Sequence, residues 1–228
     1  MFEREKEKLE KDGMHLRYYH NEKRNNKDLV MIAVGRNGLA LKYASTRLKN
    51  DRDVVFAAVR QNGWALQYAS DELQDDKDIV LEATVGLGDA LRFASPELKA
   101  NKDFVLEVIS NDAYALRFVS DELRNDKDVV LKAVSEQGWV LRFASSKLKA
   151  DRDVVLAAVS DDGWALEFAN DALKNNRDIV LAAVKRNGNA LQYASDKMRA
   201  DKIIGLTAIG QDIDLLQYAS PELRKALD

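Results

Sequence analysis

Asp28, Asp53, Asp78, Asp103, Asp128, Asp153 and Asp178 recur at one constant step without insertion or deletion, and a chain built on such a period folds as a stack of like units. Two further columns keep the step. Leu41, Leu66, Leu91, Leu116, Leu141, Leu166, Leu191 and Leu216 form one, and the aromatic residues from Tyr43, Tyr68 and Phe93 to Tyr218 form the other. A unit of this length cannot bury its apolar face alone, so contact between neighbours must provide the core. The period predicts an all-α solenoid of eight tandem repeats over residues 26–225. Residues 1–25 keep Gly13, Leu16 and Tyr18 in register but put Lys23 where later repeats have leucine. They read as a degenerate polar N-terminal cap, and residues 226–228 as a C-terminal tail.

Each repeat predicts a ten-residue helix, a shorter helix and a one-turn helical segment. The column Asn26, Asp51, Asp76, Asn101, Asp126, Asp151, Asn176 and Asp201 contains only side chains that accept hydrogen bonds from the free N–H groups of a helix start. The Asp two residues later adds negative charge where the helix dipole favours it. The first helix then turns Val54, Val55, Phe56, Ala58 and Val59 inward. It is expected to stop at Gly63 and its counterparts Gly38, Gly88, Gly138, Gly163 and Gly188, read as left-handed C-caps. Ser95-Pro96-Glu97-Leu98 and Ser220-Pro221-Glu222-Leu223 mark the last segment, because proline is disfavoured after a helical residue and favoured as the first residue of a new helix. The serine column therefore reads as N-caps, with Asn170 as a substitute, ahead of any reading as modification sites. The aromatic column reads as core.

Residues 53–76, DVVFAAVRQNGWALQYASDELQDD, carry the signature NGxALx[YF]ASxxLxxD that returns with small departures in every repeat. This pattern resembles the tandem repeats of an uncharacterised family, domain-of-unknown-function family 4116, over residues 26–225. The resemblance implies a helical repeat and brings no catalytic residue, cofactor or ligand with it.

Composition narrows the partners. With 35 basic and 38 acidic residues the net charge is −3, without the cationic excess of a protein that neutralises many phosphates, so nucleic acid is disfavoured. Cysteine is absent, which removes disulfides, thiolate zinc sites and cysteine nucleophiles. No secretory or membrane-length apolar stretch is evident, and an intracellular soluble compartment, such as the cytoplasm, is expected without a membrane partner.

Chemistry has few places to sit. His15 and His20 lie five apart and do not share a helix face. The carboxylates recur as columns, whereas an active site needs one singular constellation. No enzyme activity, metal or cofactor is expected. The basic column Lys27, Arg52, Lys77, Lys102, Lys127, Arg152, Arg177 and Lys202 reads as a solvated salt-bridge strip rather than an anion ladder. Variation is more informative. The column after the glycine runs Leu39, Trp64, Asp89, Tyr114, Trp139, Trp164, Asn189 and Asp214, and the preceding turn varies with it, as at Arg36 and Arg186. Partner-specific residues accumulate on such an edge. Trp64, Tyr114, Trp139, Trp164, Arg36 and Arg186 are therefore the candidate contacts of a protein or peptide, three of the aromatics falling in consecutive repeats. A stack with no dedicated ligand, natural or designed, and a nucleic-acid-binding repeat are the alternatives.

Overall fold

The computed structural model describes residues 2–227, with side chains for 3–225; Met1, Asp228 and the expected tail's side chains lie outside the described residues. The backbone of 226–227 continues the helix Pro221–Leu227. Among the described residues every element is helical, and the expected three-part repeat recurs along the all-α solenoid. Arg52–Gln61 is a ten-residue α-helix, Gly63–Tyr68 a 3-10 helix and Asp71–Gln74 a single α-turn. Residues 2–25 follow the same order: helix Phe2–Lys11, 3-10 helix Gly13–Tyr18 and turn Asn21–Arg24. Leu9 and Leu16 there are fully buried.

Capping decides these boundaries. Asp51 accepts from the N–H of Val54, and Asp151 from those of Asp153 and Val154, so the first helix starts where an Asn or Asp supplies its missing acceptor. Ser70 and Asn170 cap the closing turn in the same way through the N–H groups of Leu73 and Leu173. The serines also bind backward. Ser70 N–H donates to the carbonyl of Lys49 at 2.9 Å and Ser195 N–H to that of Lys174 at 3.0 Å. Each serine turn is thereby stitched to the preceding repeat.

The glycine column departs from expectation. Gly86 is the one described residue with positive φ, at 62°, so Gly63 and its counterparts are not left-handed caps. The first helix ends because Asn62 swings to φ −157°, ψ 109°, and its side chain then caps the 3-10 helix through the N–H of Trp64. Glycine follows for another reason. A Cβ on Gly63 would fall inside van der Waals contact with the carbonyl oxygen of Ala83 in the next repeat, and the same holds for Gly38 against Ala58.

The chain divides into two compact bodies, Met1–Ser120 and Asp121–Asp228. In the first, Val55 and Val80 and the small Ala58 and Ala83 are buried between successive first helices. In the second, Val130, Val155 and Val180 with Ala133, Ala158 and Ala183 do the same. The removal of these methyl groups from water is the main stabilising term. Two inward assignments fail. Phe56 is half-buried, and so are the aromatics Tyr43 to Tyr218. With three residues per turn, the 3-10 helix puts Ala65 and Leu66 fully inside, and leaves Tyr68 on its flank.

Candidate functional site

The edge between the first helix and the 3-10 helix is built from one junction repeated. The residue before the glycine ends one helix and caps the next, as Asn37, Asn62, Asp162 and Asn187 do, and Asp112 does the same ahead of Ala113. The glycine N–H points at the following repeat, where Gln61 accepts from Gly38 at 2.5 Å, Asp161 from Gly138 at 2.7 Å and Gln211 from Gly188 at 2.7 Å. Arg36 and Arg186 occupy this same acceptor column. A guanidinium has no lone pair to offer, so neither can accept from the preceding glycine. Arg186 donates instead to the carbonyl of Asp161 at 2.6 Å, and Arg36 is exposed.

The candidate aromatics stand one residue past the glycine position, which in the repeat of Tyr114 is Ala113. In the first body, Trp64 meets Phe93 of the next repeat edge to face, with centroids 5.7 Å apart, and Tyr114 meets Phe118 of its own repeat at 5.9 Å. In the second, Trp139 meets Phe143 at 5.9 Å and Trp164 meets Tyr193 of the next repeat at 5.6 Å. Trp139 and Trp164 lie on 3-10 helices that pack side by side. Trp64, Tyr114 and Trp139 are half-buried, whereas Trp164 is 39% exposed. One carboxylate oxygen of Asp89, in the same column, is buried without a hydrogen-bond partner.

Much of the basic column at the helix starts is neutralised across repeats. Lys27 reaches Asp51 and Asp53, each at 2.8 Å, and Lys127 reaches Asp151 at 2.9 Å and Asp153 at 2.8 Å. Arg152 reaches Asp178, and Arg177 reaches Asp201. Each of these four cations thus pairs with a carboxylate at the helix start of the repeat that follows, which makes the salt-bridge strip one that runs between repeats. Hydrogen bonds from Lys127 and Arg177 hold the Asp151 and Asp201 carboxyls below the ordinary carboxylate value of 3.8 against the opposing effect of burial. A depressed native pKa contributes stability that is present above the unfolded value and disappears as pH falls through the native one. Urea midpoints should therefore hold down to about pH 4 and drop below it, and Asp151→Asn should flatten that drop.

Sequence reasoning missed a second strip. Arg92 lies over Phe93 and Phe118, with 5.5 and 6.0 Å to the centroids, and Arg142 over Phe143 and Phe168 at 5.4 and 5.5 Å. The signal was a cation next to an aromatic in Lys42-Tyr43, Arg92-Phe93, Arg117-Phe118 and Arg142-Phe143. His15 packs edge-on against Tyr18 and Tyr19. Among the described residues no group of His and carboxylates is placed to hold a metal, and no helix is long and apolar enough to cross a membrane.

A family model described as Domain of unknown function (DUF4116) matches residues 6–49, 26–74, 51–99, 76–124, 101–149, 126–174, 151–199 and 176–224. No curated protein and no solved structure matches the chain.

Proposed function

The chain belongs to the DUF4116 family, whose overlapping repeat matches tile it from residue 6 to residue 224, and from that premise we propose a non-enzymatic scaffold that holds a protein or peptide along the edge between the first helix and the 3-10 helix. One observation carries the reading. The column after the glycine changes from Trp to Asp to Asn between repeats and includes an exposed Trp164, while the Ala and Leu that follow it are buried in almost every repeat. Packing alone would have fixed the character of both positions. Trp and Tyr supply large contact area at low conformational cost and dominate interface energies. Trp139 and Trp164 stand on neighbouring 3-10 helices with Arg186 at the following junction, a patch suited to an extended peptide or a helix. Most of the helix-start cations are engaged by carboxylates, which favours a protein partner over nucleic acid.

The Trp139→Ala/Trp164→Ala double variant tests this. The two ring pairs contribute about 0.5–1.5 kcal/mol each, so the variant should remain folded by circular dichroism with a modestly lower Tm. It should lose the partner that a photo-crosslinker at Asn189 captures from native extract. A collapse of Tm with capture retained would assign both rings to packing and leave the array as a ligand-free stack.

A further inference from the structure

On a different edge, the closing turn of one repeat and the serine turn of the next frame a recess, and its charge changes along the array. The first recess, about 770 Å³, is lined by Arg24, Lys42, Arg47 and Lys49 around Tyr43, with Glu22 the one carboxylate. Two repeats on, the equivalent recess of about 450 Å³ is lined by Asp71, Glu72, Asp75 and Glu97. Stacking alone requires neither sign, since the same backbone framework supports both.

The four cations differ from those at the helix starts. None of them forms an ion pair among the described residues, whereas Lys27 beyond the same turn has two carboxylates. Burial and then the neighbouring Lys42 charge hold the Lys49 ammonium below its ordinary pKa. The guanidinium groups are already positioned. Arg24 donates through Nη2 to the carbonyl of Arg17 at 2.5 Å, and Arg47 donates to the Asn25 side chain and carbonyl at 2.9 and 2.8 Å. Arg24 Nε is buried without a partner. Arg24 and Lys42 lie 6.0 and 5.9 Å from the Tyr43 ring centroid, and both stay near the recess.

We propose that this recess binds a small organic polyphosphate, a compact molecule bearing two or more phosphate groups. Guanidinium forks match phosphate oxygens in pairs, and lysines supply point charges beside them. Compactness follows from the reversal of sign. A nucleic acid, an acidic peptide or an anionic bilayer lying along this edge would run onto Asp71, Asp75 and Glu97. The cations beside Tyr43 also occupy the neighbourhood where a base would stack.

Isothermal titration of the full chain with inositol hexakisphosphate at physiological ionic strength should give saturable one-to-one binding. Arg24→Gln/Lys49→Gln should weaken it at least tenfold, and Lys185→Gln, on an exposed site of the second body, should leave it unchanged. Circular-dichroism melts check that each variant is folded, and Lys42→Gln alone serves if the double variant is not. Absence of binding, equal affinity in the recess variant, or equal affinity for inorganic sulfate would overturn the proposal. So would tighter binding to polyglutamate, to single-stranded RNA or to vesicles containing phosphatidylinositol bisphosphate than to the free polyphosphate.

Discussion

Gly63→Ala should destabilise the protein by about 3 kcal/mol or more, well above the roughly 1–2 kcal/mol of a left-handed glycine cap. The added methyl would meet the Ala83 carbonyl, which is backbone inside the next helix and cannot rotate away. Relief requires the two repeats to move apart, and the hydrophobic contacts between Val55, Val80 and their neighbours oppose that. For a chain of this size the shift should be roughly 6–12 °C in Tm. Gly35→Ala is the internal control. It lies in the helix Lys27–Arg36 with open space where its Cβ would go, so it should gain about 0.5 kcal/mol from helix propensity. Similar small losses at both positions would mean that neither close approach nor its absence governs the column.

Removing residues 51–75 should leave a folded protein, while removing residues 51–62 should abolish cooperative unfolding. After the longer deletion Lys27 meets Asp76 and Asp78 in place of Asp51 and Asp53, and the Ser95 N–H meets the carbonyl of Lys49 in place of that of Gln74. These partner types are preserved, the Gly38 N–H alone losing its acceptor because Gly86 takes the place of Gln61, and stability otherwise falls by the share of one repeat. The shorter deletion joins Asn50 directly to Gly63, so a 3-10 helix follows a closing turn with no first helix between them. Val34 and Val80 then lose the layer that buried them. Far-UV circular dichroism with urea titration distinguishes the outcomes. Equivalent transitions for the two proteins would remove the basis for treating one whole repeat as the structural quantum.

The parts of this fold that were legible in the sequence are those whose cause is local. Asp51 caps a helix within its own first turn, and Pro96 and Pro221 announce the closing turn within their own tetrapeptides. Gly63 was misread because its constraint comes from the Ala83 carbonyl in the next repeat, and a glycine after Asn looks the same whether it turns left-handed or simply needs room. The aromatic column was assigned to the core since a sequence period reports equivalence and says nothing of depth; a 3-10 helix sets its flank differently from an α-helix. Of the candidate edge, the positions were legible and the contacts were not. Trp64 and Trp164 lean on Phe93 and Tyr193 of the following repeats, rings that only stacking brings near. The basic recess was hidden for the same reason. Arg24 and Lys49 occupy one column in successive repeats, and nothing in the string indicates that they face a common space.

The stitch from each serine N–H to a carbonyl in the preceding closing turn also bears on how quickly the chain can find its structure. Ser45 to Arg24, Ser70 to Lys49, Ser145 to Arg124 and Ser195 to Lys174 all close loops of one size. Loop-closure entropy rises with the logarithm of loop length, so none of these steps is slower in principle than any other. Contact order stays low however many repeats are added. Any adjacent pair can serve as a nucleus, and growth then proceeds outward in both directions by adding one neighbour at a time.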